Sequence, residues 1–226
     1  MNELKKWLNG FNTKSFIRRI IFMLPVLALS AFGIACYYAC SLGADPISCF
    51  IDGQHTLFKL TYGQITTINN AVLFVMMIIW GRKYLGVGTL MGVFLSGPMI
   101  DFFEALIRTE ILAGTPALWL RLLILAVGVF TFAVGTALYI MDNIGIGAFD
   151  FLALVICDRT GWKLRWTRIV LDLIFVIVGW LMGGIVGIGT LAGAFLTGPI
   201  MSATMKVLNS PLEKLLSTPK KTAPTA

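Results

Sequence analysis

Two short motifs, Ser96-Gly97-Pro98 and Thr197-Gly198-Pro199, place a hydroxyl group close to a proline within long apolar stretches. Proline in a helix lacks the amide hydrogen, so the carbonyl four residues earlier loses its usual partner. The carbonyls of Phe94 and Phe195 could then accept hydrogen bonds from the adjacent hydroxyl, from water or from a bound solute. The motifs predict either two packing kinks or the two halves of a binding site.

Ionisable residues also lie within apolar stretches. Asp101 follows Pro98 by about one helical turn, and Asp172 follows Arg168 by four residues. If either acid faces the interior of a helix bundle, it could bind a proton or a cation, with Asn70 completing an asymmetric polar centre. The alternatives are a position near a helix end for Asp101 and a salt bridge with Arg168 for Asp172.

Three further acids belong to two shorter segments. Asp45 precedes Pro46, and an acid followed by proline is typical of a helix start. Asp45 therefore either caps a helix or faces a polar cavity. Asp52 needs water or polar partners, at a membrane surface or along a pathway, and Asp150 begins the second short segment.

The residues required for other chemistries are missing from the sequence. The four cysteines form no CxxC pair, and a single histidine, His55, cannot build a metal site alone. The sequence contains no nucleophile–base arrangement and no phosphate-cradling loop. We therefore expect no enzyme, no metal and no bound cofactor.

Small residues recur at every fourth position in two places. Gly88 and Gly92 lead to Ser96, and Gly189 and Gly193 lead to Thr197. Stripes of this kind allow helix backbones to approach closely in lipid, so these four glycines are predicted to pack helices.

These stripes belong to a wider internal duplication. GVGTLMGVFLSGPMID (86–101) and GIGTLAGAFLTGPIMS (187–202) share nine of sixteen residues. FGIACYYACSLG (32–43) aligns with VGTALYIMDNIG (134–145) at an offset of 102 residues. The sequence predicts two membrane repeats, 16–107 and 118–208, each with a long, a short, a long and a long helix. Paired halves are common in transporters, whose sites lie between them.

The composition places these helices in a bilayer. The chain has 226 residues, of which 58% are hydrophobic and only 13% are charged, against about 25% charged residues in a typical soluble domain. The net charge of +7 is concentrated at the ends of the apolar runs, which is typical of membrane orientation and does not require nucleic acid. We expect a bacterial cytoplasmic membrane protein surrounded by lipid.

The predicted fold is an all-α polytopic membrane protein with six long and two short helices. The long runs cover about 17–40, 64–82, 86–107, 119–141, 167–183 and 187–207, and the short runs cover about 46–60 and 147–158. Residues 1–15 are expected to form an interfacial helix or a disordered arm, and residues 209–226 a disordered cytosolic tail.

The distribution of basic residues gives the orientation. Eight crossings would leave sixteen lysines and arginines inside and two outside; six crossings, with re-entrant short helices and inverted halves, would give fifteen and three. We favour eight crossings, because Arg19 and Arg121 would then flank equivalent helices on the same side. Both arrangements place both termini in the cytosol.

The doubled unit resembles the YczE/YyaS/YitT group of bacterial multi-pass membrane proteins. This resemblance implies a multi-pass membrane architecture. The shared features are an [LI]-G turn before the short helix and a G-[VI]-G-T-L run leading to [ST]-G-P. In that group the turn reads roughly L-G-x-x-P-x-D. The first copy here keeps Pro46 but has Ser48 at the acidic position, whereas the second keeps Asp150 but has Ala148 at the proline position.

These features predict a small, ion-driven permease or exporter for an unknown solute or ion, working by alternating access between its halves. The alternative is a membrane regulator or scaffold that binds a partner protein, or a second copy of the chain, through its glycine stripes. A permease requires a polar cavity between the halves, whereas a scaffold requires a dry core.

Overall fold

A computed structural model describes residues 13–81, 84–112 and 117–216. Within these ranges, the predicted six long and two short helices are confirmed: α1 (Thr13–Cys40), α2 (Pro46–Phe58), α3 (Tyr62–Trp80), α4 (Val87–Leu106), α5 (Leu118–Asp142), α6 (Ala148–Thr160), α7 (Leu164–Leu181) and α8 (Ile188–Leu216). A π-helical turn, Ile107–Ile111, extends α4. Five of these helices, α1, α3, α4, α5 and α8, are long and apolar enough to cross a membrane.

Local sequence signals fix the ends of the short helix α2. Asp45 caps its first turn and Pro46 occupies the first helical position, where no amide donor is needed. The helix ends at Lys59, whose left-handed backbone (φ 55°) stops further winding. Its 13 residues span about 20 Å at 1.5 Å per residue, which is less than the roughly 30 Å of hydrocarbon in a bilayer.

Helices α1 and α5 form an antiparallel pair at the centre of the molecule. Gly33 of α1 lies against the backbone of Phe132, whereas Ser30, one turn earlier, lies against Gly135. Residue numbers therefore rise along one helix as they fall along the other. A Cβ at either glycine would collide with the opposite helix, so these glycines allow the two backbones to touch.

The ends of this pair overturn the expectation of eight crossings. Arg19 of α1 pairs with Asp142 at the end of α5, and Arg121 at the start of α5 donates to the carbonyl of Cys40 at the end of α1. Arg19 and Arg121 thus lie at opposite ends of the pair. Eight crossings would make α1 and α5 parallel, because four crossings would separate their starts. The count of basic residues missed this, since the two arrangements differ by only one charge.

Each connection before a short helix packs on the first turn of a long helix from the other half of the sequence. The amide of Gly189 in α8 donates to the carbonyl of Leu42 at 2.9 Å, and the amide of Gly88 in α4 donates to the carbonyl of Ile144 at 3.0 Å. A Cβ on Gly189 would collide with the carbonyl of Gly43, and a Cβ on Gly88 would press on the side chains of Met23 and Ile144. The repeated glycine runs therefore bind loops of the opposite half.

The short helices also pack on the opposite half. Helix α2 lies along α7, where Gly53 meets Gly179 and Phe50 meets Phe175 with ring centroids 5.4 Å apart. Helix α6 lies along α3, whose final residue is followed by Gly81 in contact with the ring of Phe151. The two halves are consequently intertwined.

The two Ser/Thr-Gly-Pro motifs have different surroundings. Gly97 packs on Gly63, so α4 touches α3 closely, whereas a Cβ at the exposed Gly198 would meet nothing within 4 Å. Both α4 and α8 continue as helices through Pro98 and Pro199. The seam between α3 and α4 is therefore closed, while the corresponding face of α8 is open.

The predicted disordered tail begins too early. Helix α8 continues to Leu216, and Leu212 is buried. Residues 217–226, like residues 1–12 of the predicted N-terminal arm, lie outside the described residues, as do 82–83 and 113–116.

The closed and open positions provide a matched pair of variants. We expect Gly97→Ala to lower the free energy of unfolding by about 1–3 kcal/mol, because the new methyl group overpacks the α3–α4 contact. We expect Gly198→Ala to be neutral or slightly stabilising, because alanine has the higher helix propensity and finds open space. Thermal unfolding of both purified variants in one detergent measures the difference. Equal effects would contradict the asymmetric packing.

Candidate functional site

A cavity of about 220 Å³ lies where the N-terminal ends of the two short helices meet the central helices. Its wall is mainly apolar, with polar groups contributed by α1 to α7. The polar and charged lining residues are Ser30, Asp45, Ser48, Thr66, Asn70, Thr89, Ser96, Thr136, Tyr139, Asp150 and Arg168. The cavity can therefore enclose a small solute with both an apolar and a polar part.

Asp45 is the acid contributed by the first short helix. Its side chain is 6% exposed, and Oδ2 faces the amide of Ser48 at 3.5 Å. Oδ1 is buried and has no hydrogen-bond partner in the described part of the chain. A Cβ on Gly193 would lie 3.0 Å from the Asp45 backbone, so this glycine lets α8 approach Asp45. Asp45 thus lines the cavity and carries one buried carboxylate oxygen without a partner among the described residues.

Asp150 is the corresponding contribution of α6, but it has a cation beside it. It forms an ion pair with Arg168 of α7, with side chains that are 26% and 44% exposed, respectively. The expected salt bridge between Arg168 and Asp172 is replaced by this contact. Asp172 lies outside the cavity lining but within electrostatic reach of Asp45, Asp150 and Arg168.

Burial affects both cavity acids, which lie outside the five candidate membrane spans. It raises the pKa of Asp45 above its ordinary value, and hydrogen bonds from the start of α2 oppose this rise. Burial also raises the pKa of Asp150, while the neighbouring Arg168 guanidinium lowers it. Each carboxyl group therefore holds a proton more readily than it would in water.

Two predicted polar residues meet on the wall formed by α3 and α4. The Asn70 amide donates to the Ser96 hydroxyl at 3.2 Å, and both residues line the cavity. Thr66, one turn before Asn70, donates to the carbonyl of Tyr62 at 2.7 Å. This wall can offer neutral hydrogen-bonding groups to a solute.

Three aromatic rings stack near the end of α1, outside the lining of the cavity. Tyr38 and Tyr62 stack with centroids 3.9 Å apart, and His55 stacks on the other side of Tyr62 at 4.0 Å. Asp52 accepts hydrogen bonds from the Tyr62 hydroxyl at 3.0 Å and from the Ile185 amide at 2.7 Å. Asp52 therefore ties α2 to α3 and to the α7–α8 connection, outside the cavity.

Asp101 also lies outside the cavity. It accepts hydrogen bonds from the Gly63 amide at 2.7 Å and from the Thr61 hydroxyl at 2.6 Å. Its carboxylate thus caps the first turn of α3, where free amide hydrogens and the helix dipole favour an anion. Pro98 lies beside it in a shallow groove on the α3–α4 surface.

The second hydroxyl motif does not reach the cavity. Thr197 lies against the Tyr37 hydroxyl, whereas Gly198 and Pro199 are exposed. The expectation that both motifs converge on one cavity is wrong, because α8 packs on α5 rather than on α7. Within the two motifs, Ser96 alone contributes to the cavity lining.

The glycine stripes face the interior of the chain. Gly92 lines the cavity below the Tyr139 hydroxyl, Gly88 packs on Met23, and Gly189 packs on Gly43. These contacts occupy the surfaces that a scaffold would need for a partner chain.

Sequence reasoning assigned no cavity role to Arg168, Thr89 or Tyr139. The Thr89 hydroxyl donates to the Ile146 carbonyl at 2.8 Å and accepts from the Ile146 amide at 3.0 Å, fixing the connection before α6. The sequence did contain a signal for Thr89, since the repeated G-x-G-T-L run carries a threonine in both copies. Arg168 gave no such signal because its partner is on another helix.

Among residues 13–81, 84–112 and 117–216, no cluster of three histidine, cysteine, aspartate or glutamate side chains could hold a metal ion. Cys36, Cys40 and Cys49 are buried free thiols, and Cys157 is partly buried.

Comparison with known proteins supports the membrane architecture. The uncharacterized membrane protein YczE of Bacillus subtilis (strain 168) is 29% identical over 189 residues, covering 83% of this chain and 86% of YczE. An uncharacterized protein of Haemophilus influenzae (strain ATCC 51907 / DSM 11121 / KW20 / Rd) is 25% identical over 193 residues, covering 84% and 85% of the two chains. The uncharacterized protein YyaS of Bacillus subtilis is 25% identical over 183 residues, covering 81% and 90%.

These relatives confirm the resemblance to YczE and YyaS that the sequence motifs indicated. No solved structure matches the chain. The profile of a family of unknown function, DUF6198, matches residues 17–206. Because this match covers most of the sequence, the chain is a membrane protein that belongs to the DUF6198 family.

Proposed function

We propose that this protein is a small permease or exporter of the bacterial cytoplasmic membrane that works by alternating access. The observation that carries the proposal is the cavity at which the N-terminal ends of α2 and α6 meet, with Asp45, Asp150 and Arg168 in its wall. Interrupted helices whose ends meet near the middle of a bundle are the usual binding sites of transporters built from repeats.

The antiparallel α1–α5 pair supports an inverted arrangement of the repeats 16–107 and 118–208. Two repeats have opposite orientations in the membrane only if each repeat crosses it an odd number of times. We infer that the long helices α1, α3, α4, α5, α7 and α8 cross the membrane, while α2 and α6 enter and return. Helix α7 has 18 residues, or about 27 Å, although Arg165, Arg168 and Asp172 make it less apolar than the others.

Six crossings with a cytosolic N-terminus leave fifteen lysines and arginines on the cytosolic side and three, Lys59, Arg108 and Arg121, outside. This is the excess expected for cytoplasmic segments. The aromatic stack of Tyr38 and Tyr62 then lies toward the outer side. The partly exposed Asp150–Arg168 pair lies toward the cytosolic side, which supports an inward-facing state in this proposal.

The intertwined packing indicates which parts move. Helix α2 packs on α7 and α6 packs on α3, so we propose that these two pairs rock about the α1–α5 axis. The acids of the cavity support coupling to an ion gradient, because such groups bind protons and cations within membranes. The inward-facing glycine stripes favour this function over a scaffold that binds a partner protein through them.

The six-crossing arrangement predicts the side of two loops. Leu60→Cys should react with a membrane-impermeant maleimide added outside intact cells, because the α2–α3 connection is external. Trp162→Cys, which is exposed and cytosolic in both arrangements, should react only after permeabilisation and serves as the control. A Leu60→Cys variant that reacts only after permeabilisation would contradict the re-entrant short helices.

Alternating access predicts that the cavity is reached from both faces. In a Cys157→Ser background, Ser96→Cys should react with a small charged thiosulfonate added to either face of proteoliposomes of known orientation. Val129→Cys, buried outside the cavity, should stay unmodified, as should the buried native cysteines. Labelling from neither face would exclude a permease, and labelling from one face only would indicate a closed vestibule.

A further inference from the structure

We propose that the cavity binds a small organic cation, with its ammonium group at Asp45 and its apolar part against the surrounding aliphatic and aromatic wall. This inference deepens the proposed permease function, on which its transport role depends. The cavity, the unpartnered carboxylate oxygen and the charge of the surrounding groups each support it separately.

The Asp45 carboxylate is only partly satisfied by the chain. Its Oδ1 is buried and unpartnered in the described residues, while Oδ2 accepts a long hydrogen bond from the Ser48 amide at 3.5 Å. Leaving a carboxylate oxygen buried without a partner is costly. An ammonium group would supply both the opposite charge and up to three hydrogen-bond donors.

Acids outnumber basic groups around the cavity. Asp172 lies within electrostatic reach of Asp45 and Asp150, and Arg168 interacts with Asp150 and Asp172. The Asp150 carboxylate already occupies Arg168. An anionic solute would meet an excess of negative charge, including an acid at the cap of α2, whereas a cation would reduce that excess.

The apolar wall of the cavity indicates the kind of cation. Hydrated metal ions require several oxygen ligands, but the wall beside Asp45 is formed largely by Ile47, Ile51, Val93 and other apolar side chains. An amine with an apolar body would bury that body against this wall. Asn70 and Ser96 supply neutral polar atoms on the adjacent side.

The experiment compares three probes of similar size and shape that differ in charge: benzylammonium, benzyl alcohol and benzoate. The full chain is placed in lipid nanodiscs, and binding is measured by titration calorimetry after subtraction of the signal from empty nanodiscs. We expect benzylammonium to bind at least tenfold more tightly than either of the other probes.

Asp45→Asn tests the assigned residue. Asparagine caps helices about as well as aspartate, so this variant removes the charge while keeping the start of α2. We expect it to weaken benzylammonium binding at least tenfold. Glu110→Gln, which removes an exposed acid on the π-helical turn far along α4, should leave the affinity unchanged.

Three results would overturn the proposal: failure of all three probes to bind, equal or tighter binding of benzoate or benzyl alcohol, or unchanged affinity in Asp45→Asn. The first two are measured on the native chain and do not depend on a variant folding. If Ser96→Cys is labelled from both faces but the cavity does not prefer the cationic probe, the permease proposal stands and the proposed substrate class is wrong. If the cation binds but Ser96→Cys is not labelled from both faces, the binding site stands and the transport function is rejected.

Discussion

The hydrogen bonds between the connections and the long helices of the opposite half determine the rest of the architecture. A chain that stops being helical within hydrocarbon must find partners for its free backbone groups inside the protein. The first turns of α4 and α8 have amide groups with no intrahelical acceptor. The amides of Gly88 and Gly189 donate to the carbonyls of Ile144 and Leu42. Each half therefore provides hydrogen-bond partners for the non-helical connection of the other half. At Gly189 glycine is required for this approach, since a Cβ would displace the connection at Gly43.

This reciprocal contact also places the two short helices. Because Gly43 is held against the start of α8 and Gly145 against the start of α4, α2 and α6 begin beside the α1–α5 pair. Their N-terminal ends bring partial positive charge to the cavity, and Asp45 and Asp150 bring the opposing negative charge. The position of the site therefore follows from the hydrogen bonds that hold the non-helical connections against the long helices.

Much of the fold could be predicted from the sequence because apolar length and repetition are local signals. The helix order followed from the apolar runs, and the cap of α2 followed from Asp45-Pro46. The direction of α5 relative to α1 could not be read from the charge distribution, because the competing arrangements differ by one basic residue. It depends on contacts such as Gly33 with Phe132, which join residues about 100 positions apart.

The candidate site was predictable only in part, for a similar reason. Asp45, Asn70, Ser96 and Asp150 were recognisable as polar residues in apolar surroundings, and they line one cavity. Thr197 carries the same local signal as Ser96 but faces Tyr37, because the packing of α8 differs from that of α4. A repeated motif specifies a local conformation, whereas its surroundings depend on the helices beside it.

Sequence differences between the two halves determine how charge is distributed around the cavity. At an offset of 102 residues, Ser48, Thr66 and Asn70 correspond to Asp150, Arg168 and Asp172. One half thus presents neutral hydrogen-bonding groups where the other presents two acids and an arginine.

The Asp150–Arg168 ion pair also joins α6 to α7, which belong to the two helix pairs that we propose to move. Asp150 and Asp172 both lie within electrostatic reach of Arg168, and Asp172 also lies within reach of Asp45. We propose that a cation bound at Asp45 changes, through Asp172, how strongly Arg168 holds the two pairs together. A ligand shifts a conformational equilibrium only when it interacts differently with the two states. The uneven distribution of charge supplies such a difference, which two identical halves would lack.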